Sequence, residues 1–271
     1  MKAKYYLILP LLLLLSPSQT AATDLVTLVV AGTGDSQSLL KKLASAFRQT
    51  EAGRDIIIQV PDSIGSSGGI KALIAGQVSL ARTARPLKEK EQGHKLQQFR
   101  FALSPVVIAA HPSAKQVHNI SSQQLIKVYE GHIGNWDQLG GASSPIYVID
   151  RETGDSSRDI LETHLAGFPK GRTAAKIFYT TPEAVAAIAD HQHTLGFLPL
   201  SVAKARGLKV FSIDGVKPTE DNVTKGSYKY VTPFYIVAGA QPGKAEQAFI
   251  DFLYSEQAKK VIHASGSVPA R

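Results

Sequence analysis

LVTLVVAGTGDSQSLLKKLASAF, residues 25–47, joins an apolar, β-branched run to an amphipathic run through the loop Thr-Gly-Asp-Ser. The first run predicts a strand over residues 25–31, and apolar residues at helical spacing predict a helix over residues 38–47. The same tetrapeptide returns at residues 153–156, again after a strand-like run and before a predicted helix, residues 157–165. A strand–loop–helix unit that recurs along the chain is typical of an α/β fold.

A third loop of the same kind, Gly-Ser-Ser-Gly-Gly at residues 65–69, lies between a predicted strand, residues 55–60, and a helix predicted to begin at residue 70. Three loops rich in glycine and serine therefore each open a helix. The N-terminus of a helix presents free backbone N–H groups and a positive partial charge, which attract anions. Together the three loops predict one anion-binding site.

Two long apolar runs with an internal proline organise the rest of the chain. They are residues 101–110 and residues 230–238. Runs of this kind predict strands that pass between lobes, so we expect two strand crossovers between the lobes of an α/β protein. A surface helix is predicted over residues 88–97 and one long final helix over residues 244–264. The predicted lobes are residues 23–104 plus 236–271 for lobe 1 and residues 105–235 for lobe 2.

The start of the chain has the pattern of a secretory signal peptide. Lys2 and Lys4 precede an apolar stretch, residues 5–15, and small and polar residues follow. The apolar stretch is short for a membrane span, although a retained anchor is the alternative interpretation. We therefore predict a signal peptide over residues 1–22. With no cysteine in the chain, neither disulfides nor a cysteine-borne lipid anchor is possible. An exported, soluble protein of the Gram-negative periplasm fits these features.

The charge balance favours an anionic partner. The chain has 30 Lys and Arg against 22 Asp and Glu, a formal net charge of +8. Only 7% of the residues are aromatic, and the basic residues are scattered. Proteins that bind single-stranded nucleic acid interleave aromatic and basic residues along one surface, a pattern this chain lacks. We therefore predict a small oxyanion as the ligand and no nucleic acid.

Candidate ligand-binding residues follow from the three loops. Glycines let the backbone approach a ligand closely, and hydroxyls donate hydrogen bonds. A guanidinium beside a helix N-terminus, as at Arg151, can hold an oxyanion with two hydrogen bonds. Taken alone, each loop is equally consistent with a tight turn and a helix cap. The predicted ligand-binding residues are Gly34, Asp35, Ser36, Gln37, Ser66, Ser67, Arg151, Asp155, Ser156 and Ser157.

Longer motifs resemble the phosphate-binding proteins of bacterial ABC transporters, which belong to the two-lobed periplasmic binding proteins. The resemblance implies a type II periplasmic-binding-protein fold that closes on an inorganic oxyanion, and phosphate is the oxyanion expected before any other. It implies an ABC transporter permease as partner, a monomer, no cofactor and no catalysis. The motifs that carry it are IGSSGGIKAL (64–73), ARTARPL (81–87), ISSQQLIKVYEGHIGNWDQLGG (120–141), DRETGDSSRDILETHL (150–165) and SIDGVKPTEDNV (212–223).

The resemblance also suggests roles for single residues. Ser36 and Ser157 stand where the family has hydroxyl donors, Ser66 where it has a serine that opens a helix, Arg151 where it has its one cleft arginine, and Ser156 in a backbone-donor position.

Two positions depart from that family. Ala84 stands where the family has an aspartate that accepts the proton of monohydrogen phosphate, and Asp155 stands where it usually has a serine. We hypothesise that Asp35 or Asp155 replaces the missing acceptor; the alternative is that both aspartates only cap helices.

Other interpretations stay open. Residues 65–69 also match Gly-x-Ser-x-Gly, the nucleophile motif of serine hydrolases, with Ser67 as nucleophile and His263 as a candidate base. His191 and His193 have the spacing of two metal ligands, although a solvated turn is the simpler interpretation. A binding protein that senses or scaffolds, uncoupled from transport, is a further alternative. The charged residues expected to be only solvated are Lys41, Lys42, Arg82 and Arg85.

Overall fold

The first part of the chain alternates strands and helices. A computed structural model describes residues 25–169 and 175–270, so the predicted signal peptide lies outside the described residues. Strands β1 and β2 are parallel, as are β1 and β3. The predicted strand–loop–helix units are therefore confirmed. Their elements are β1 (Val26–Gly32), α1 (Gln37–Arg48), β2 (Ile56–Gln59), α2 (Gly65–Ile74), β3 (Leu80–Thr83) and α3 (Glu89–Gln92).

The remaining elements build the other half of the sheet and its helices. They are β4 (Gln97–Ala110), β5 (Asn119–Ile120), α4 (Ser122–Tyr129), a 3₁₀ helix (Trp136–Leu139), β6 (Tyr147–Arg151), α5 (Ser156–His164), β7 (Lys176–Phe178), α6 (Thr181–Asp190), β8 (Thr194–Pro199), α7 (Leu200–Ala205), β9 (Lys209–Val210), β10 (Ser212–Ile213), α8 (Glu220–Thr224), β11 (Val231–Ala238), α9 (Lys244–Phe252), α10 (Glu256–Ala264) and β12 (Val268–Pro269). The strand order is β2-β1-β3-β11-β4-β8-β6-β7, with β9 and β12 also paired to β4, and β5 pairs with β10 apart from this sheet.

Strand β4 joins the two halves of the sheet. Its first part, up to Pro105, pairs antiparallel with β11, and its last five residues, from Val106, pair antiparallel with β8. Pro233 in β11 and Pro105 in β4 both lie within this paired region. The two proline-bearing runs are therefore strands that lie side by side at the centre of the sheet.

Apolar side chains pack into two large cores on either side of this junction. One core is formed around Leu39, Phe47 and Phe249. The other is formed around Trp136 and Phe197. Strand β4 contributes to both cores, because its side chains from Phe101 and Ala102 enter the first and those from Val106 and Ile108 enter the second.

Two predicted helices are wrong in extent. The final helix is broken into α9 and α10, because the side chain of Ser255 accepts a hydrogen bond from the backbone N–H of Ala258 and so caps a new helix. The surface helix predicted over residues 88–97 is limited to α3, since Lys95 has a positive φ of 55° and β4 begins two residues later. Within the described ranges, no helix is long and apolar enough to cross a membrane.

Candidate functional site

The N-termini of helices α2, α5 and α6 line one cavity of about 380 Å³, together with Thr33 and Gly34 of the loop before α1. Helices α1, α2, α5 and α6 follow strands β1, β2, β6 and β7, so all four loops lie at the carboxyl ends of strands. This is where open α/β sheets bind their ligands. The cavity is lined by Thr33, Gly34, Ser63, Ile64, Gly65, Ser66, Ser67, Gly68, Arg85, Arg151, Glu152, Gly154, Asp155, Ser156, Tyr179, Thr180 and Thr181.

The cavity brings together residues from all three predicted loops. Six of the ten predicted ligand-binding residues line it, and four lie behind its wall. The lining six are Gly34, Ser66, Ser67, Arg151, Asp155 and Ser156. The four buried behind them are Asp35, Ser36, Gln37 and Ser157.

In the first loop, the carboxylate of Asp35 bonds to residues at the N-termini of α5 and α6. Its Oδ1 accepts a hydrogen bond of 2.8 Å from Thr181 Oγ1, and its Oδ2 accepts one of 3.3 Å from Ser157 Oγ. The carboxylate is 1% exposed. Ser36 is the N-cap residue of α1, but its side chain makes no capping bond, and its buried Oγ has no partner among the described residues. Gln37 Nε2 donates to Asp62 Oδ1 at 3.3 Å.

Arg82 holds this loop in place, so it is not the solvated residue predicted from the sequence. Its buried guanidinium donates to the carbonyls of Thr33 at 2.7 Å, of Pro61 at 2.8 Å, and of Val30. Burial lowers the pKa of Arg82 to about 10, against an opposing effect of Asp62. The side chain therefore fixes the first loop from below. Lys41 and Lys42, in contrast, are exposed as expected.

The second loop is itself helical, because α2 begins at Gly65. Ser66 Oγ accepts a hydrogen bond of 3.2 Å from the backbone N–H of Ala84, and Ser67 Oγ accepts one of 2.9 Å from Arg85 Nη2. Gly69 permits the close packing of α2 on β1, since a Cβ there would lie 2.7 Å from the carbonyl oxygen of Ala31. The helix N-terminus is thus fixed at the cavity.

Arg85 adds a second guanidinium to the cavity wall, and the prediction that it is only solvated missed this. It forms a close pair with Glu91, with 2.8 Å from Nη1 to Oε2 and 2.9 Å from Nη2 to Oε1. Arg85 also lowers the pKa of Glu91 through this hydrogen bond, in opposition to the effect of burial. The signal that could have revealed Arg85 is its position just past Thr83, the last residue of β3, which is the strand next to β1.

The third loop places Arg151 at the end of β6. Arg151 Nη2 lies 2.8 Å from Asp155 Oδ2, and Nη1 donates to Thr181 Oγ1 at 3.1 Å. Nε donates to the carbonyl of Phe178 at 3.3 Å. Three backbone or side-chain contacts therefore fix the guanidinium at the cavity wall, where 5% of it is exposed.

Asp155 has two separate roles in that loop. Its Oδ1 accepts hydrogen bonds of 3.1 Å from the backbone N–H groups of Ser157 and Arg158, which caps α5. Its Oδ2 makes the ion pair with Arg151. Gly154 precedes it with a φ of +86°, a conformation that favours glycine.

These contacts close into a ring of polar groups beneath the cavity. Asp35 accepts hydrogen bonds from Thr181 and Ser157, Thr181 also accepts one from Arg151, and Arg151 pairs with Asp155. The backbone N–H of Ser157 donates to Asp155 Oδ1 and closes the ring. Burial and, after it, the negative charge of Asp35 raise the pKa of the Asp155 carboxyl to about 7, while Arg151 and the two backbone hydrogen bonds oppose this rise. One guanidinium therefore faces two buried carboxylates.

Thr181 was not predicted from the sequence, although it links both sides of the ring. Its position after β7 and before Pro182, at the first turn of α6, is the only local signal for it.

Comparison with known proteins identifies the family. A family model described as the PBP superfamily domain matches residues 17–257. The chain belongs to the PBP superfamily. A phosphate-binding protein PstS of Bacillus subtilis (strain 168) is 27% identical over 248 residues, covering 90% of this chain and 80% of the relative. PstS of Borreliella burgdorferi is 26% identical over 218 residues, covering 76% and 77%.

Solved structures of the same fold agree with this membership. A chain named as a phosphate ABC transporter substrate-binding protein with bound phosphate, from Clostridium perfringens, has a TM-score of 0.79 at 25% identity and covers 90% of this chain and 100% of its own length. An ABC-type phosphate transport receptor from Vibrio cholerae has a TM-score of 0.64 at 27% identity, with 89% and 99% covered. The predicted type II periplasmic-binding-protein fold is confirmed.

Ala84 has a buried, apolar place in this member of the PBP superfamily. It is 3% exposed and packs in the core around Leu39 and Phe47. Its backbone N–H donates to Ser66 Oγ, while its side chain can accept no hydrogen bond. The carboxylates that line the cavity are therefore contributed by another segment, through Glu152 and Asp155.

The serine-hydrolase interpretation has no structural support in this superfamily member. Ser67 lies in the first turn of α2, and its Oγ bonds to Arg85 rather than to a histidine. His263 pairs with Glu220 at 2.9 Å and lines a different cavity. Throughout residues 25–169 and 175–270, no group of three or more histidine or acidic side chains could hold a metal ion, and His191 and His193 belong to none.

Proposed function

We propose that this protein is the substrate-binding component of an ABC transporter and captures inorganic phosphate. The observation that carries the proposal is the cavity that the N-termini of α2, α5 and α6 and the loop before α1 line beside Arg151. Helix N-termini and a guanidinium together supply many N–H donors to one tetrahedral anion. The relatives named for phosphate binding support phosphate over other oxyanions.

We propose that phosphate is held by donors from both sides of the cleft. One side offers the backbone after Gly34 and the hydroxyls of Ser66 and Ser67, and the other offers Arg151 and Ser156. Of the predicted ligand-binding residues, Asp35, Ser36, Gln37 and Ser157 are behind these groups and would act on the anion when the cleft closes.

The predicted lobe boundaries fit this mode of binding. We propose that residues 23–104 plus 236–271 and residues 105–235 move as two bodies about β4 and β11. An anion bound to both lobes stabilises the closed form, because it contacts both sides of the cleft only there.

The cellular location and the partner of the protein follow from the same proposal. We propose that residues 1–22 direct export, that the mature protein acts as a monomer in the periplasm, and that a permease receives its ligand. Binding and release without chemistry suffice for this role, so no enzymatic activity and no cofactor are proposed.

A titration of the mature chain, residues 23–271, with phosphate, sulfate, arsenate and molybdate tests the proposal by calorimetry. We expect phosphate and its close analogue arsenate to bind most tightly. If phosphate binds at none of the pH values between about 6 and about 8.5, the proposed function is contradicted. Tight phosphate binding without stimulation of uptake by a reconstituted permease would instead favour the sensing or scaffolding alternative.

A further inference from the structure

A second cavity has a volume of about 780 Å³, against about 380 Å³ for the cavity beside Arg151, and the two share no lining residue. The lining of the second cavity comes from elements of both apolar cores. His263 follows Ile262, which packs in the core around Phe47, whereas Phe211 packs in the core around Trp136. The second cavity therefore lies where the two cores meet.

Basic side chains predominate among the charged groups of this second cavity. Lys204 on α7, Lys217 before α8 and the imidazoles of His118 and His263 all line it. The acidic residue of the lining is Glu220, and its Oε2 is paired with Nδ1 of His263 at 2.9 Å. Within the described part of the chain, neither lysine has an ion pair with an acidic side chain. Both ammonium groups are therefore available to an anion.

Lys204 lies directly against the turn between α10 and β12, which supplies the other side of the second cavity. A Cβ built on Gly266 of this turn would lie 3.0 Å from Lys204 Nζ, and Gly266 has a φ of +80°, which favours glycine. The next residue, Ser267, lines the cavity and is 2% exposed, and its Oγ has no partner among the described residues. Because a buried hydroxyl without a partner is costly, a ligand here gains a hydrogen bond without breaking one.

His118 adds a further hydrogen-bond donor to the second cavity. Its Nδ1 lies 3.1 Å from Lys209 Nζ. Since an ammonium group can only donate, Nδ1 accepts this hydrogen bond and the ring hydrogen is on Nε2. The imidazole therefore offers an N–H group, and Lys209 places a positive charge beside it.

We propose that the second cavity is a separate binding site for a chain of linked phosphate groups, held by Lys204, Lys217 and His118. Lysine ammonium groups bind phosphate as point charges, and several unpaired cations favour a ligand that carries several negative charges. A cavity of about 780 Å³ also holds more than one phosphate group. The site goes beyond the proposed function, because it shares no residue with the cavity beside Arg151.

Linked phosphate groups come from two kinds of molecule, free inorganic polyphosphate and nucleotides. The second cavity also has apolar lining, through Leu200, Val210 and Pro218. A nucleotide would place its base and sugar against such side chains, whereas an inorganic chain would use the cationic groups alone. The two sources therefore differ in affinity, and titrations can distinguish them.

Calorimetric titration of the mature chain with inorganic tripolyphosphate, ATP and citrate tests this proposal. The titrations run without divalent cations at about pH 7.5, where lysines are protonated and glutamates ionised. We expect tripolyphosphate to bind more tightly than citrate, and its affinity to fall when salt is added. We also expect Arg151→Ala to bind tripolyphosphate with wild-type affinity, because Arg151 does not line the second cavity.

Charge variants place the ligand in the second cavity. In the double variant Lys204→Gln, Lys217→Gln we expect tripolyphosphate affinity to fall by at least about tenfold, since two charged donors are lost. The matched control is Lys41→Gln, Lys42→Gln, which makes the same change in net charge at exposed residues of α1 and should keep wild-type affinity.

Glu220→Gln should act in the opposite direction. It removes the acidic side chain of the lining and with it a repulsion of the ligand, so we expect tripolyphosphate affinity to rise by about threefold. A folding defect would not produce such a gain. Unchanged or weaker binding in Glu220→Gln would contradict the assignment of the ligand to this cavity.

The remaining outcomes support or overturn the proposal as follows. If neither tripolyphosphate nor ATP binds, or if both double lysine variants lose affinity equally, the second cavity is not the site. If binding is lost in Arg151→Ala instead, the phosphate chain occupies the other cavity. If citrate binds as tightly as tripolyphosphate, the ligand class is wrong. Tighter binding of ATP than of tripolyphosphate supports the proposal with a nucleotide as ligand, and the reverse order supports it with inorganic polyphosphate.

Discussion

The two copies of Thr-Gly-Asp-Ser have the same sequence and different structures. In the second copy, helix α5 begins at Ser156, so Asp155 is its N-cap and binds two backbone N–H groups. In the first copy, helix α1 begins one position later, at Gln37, and Ser36 is the N-cap residue. The side chain of Asp35 is therefore free of its own helix and reaches Thr181 and Ser157 on the opposite side of the cleft.

A shift of one residue in a helix start thus converts a local cap into a long-range contact. Gly154 has a φ of +86°, whereas Gly34 does not have a positive φ, which marks the same difference in the backbone. The two aspartates then meet in one ring around Arg151, where Asp35 raises the pKa of Asp155. Identical loops have become complementary parts of one site.

Removal of the Arg151 guanidinium should have the largest effect on anion binding, because it links the aspartates of both copies. It pairs with Asp155 directly and bonds to Thr181, which bonds to Asp35. For Arg151→Ala we expect phosphate affinity to fall by at least about thirtyfold, since loss of a buried charged donor costs about 2–5 kcal/mol. Calorimetry measures the change. Arg54→Ala, at a side chain that is 69% exposed, should leave affinity unchanged. Unaltered affinity in Arg151→Ala would place the anion elsewhere.

Asp35→Ala tests the long-range role of the first copy. It leaves the hydroxyls of Thr181 and Ser157 without their acceptor, so we expect the free energy of unfolding to fall by about 1–3 kcal/mol. Without the Asp35 charge, the pKa of Asp155 should also fall. Urea denaturation and NMR titration of the carboxyl measure the two effects.

The matched control for Asp35→Ala is its buried neighbour Ser36, whose Oγ has no partner among the described residues. Ser36→Ala should change stability by less than about 0.5 kcal/mol. If Ser36→Ala destabilises the chain as much as Asp35→Ala, the crossing bonds of Asp35 are not what stabilises this loop.

The Asp155 carboxyl should also make stability depend on pH in the ligand-free protein. Its pKa of about 7 in the folded state exceeds the ordinary value of 3.8, so between these values the folded state holds a proton that the unfolded state has released. Stability from this group is complete below the ordinary value and is lost as pH rises toward about 7. Relative to Asp155→Asn, wild-type stability should therefore decline over this window in urea denaturation, by up to about 1.4 kcal/mol per pH unit. A flat difference between the two proteins would contradict the assignment.

Substitution of the glycine in each Thr-Gly-Asp-Ser copy by alanine should have the smallest effects on binding and stability. The two variants should differ in which of these properties changes more. Gly154→Ala meets no atom within 4 Å but keeps a strained φ of +86°, so we expect a loss of about 1–2 kcal/mol in stability. Gly34→Ala places a Cβ 3.1 Å from Thr181 Cβ, so it should weaken phosphate binding more than it weakens folding. Equal profiles for the two variants, measured by calorimetry and thermal denaturation, would mean that the loops do not differ as described.

Most of the fold could be predicted because its signals are local. Apolar periodicity predicts the helix over residues 38–47, which agrees with α1, and the apolar run of residues 25–31 predicts a strand that agrees with β1. The prediction of one final helix missed the break between α9 and α10, because the break depends on the cap formed by Ser255. No glycine or proline lies at this point in the sequence to indicate a helix end. Likewise, the helix predicted to begin at residue 70 begins at Gly65, so the second loop forms the first turn of α2.

The site was predictable only in part, because its ring is made of contacts between distant segments. Arg151 and Asp155 lie in one short motif and were found there. Thr181 was missed, since its bond to Asp35 joins residues 146 positions apart. Arg82 and Arg85 look alike in the sequence, yet one is buried beneath a loop and the other lines the cavity. Only the register of β3 beside β1 distinguishes them.

Strand β4 has a consequence for cooperativity. Its 14 residues contribute side chains to both apolar cores and backbone bonds to both halves of the sheet. Neither core can melt without releasing part of this strand, so loss of one core removes support from the other. The protein should therefore unfold in a single calorimetric transition, and the amides at the centre of β4 should be among the slowest to exchange with solvent deuterium. The strand that joins the two halves of the sheet thus makes them one thermodynamic unit.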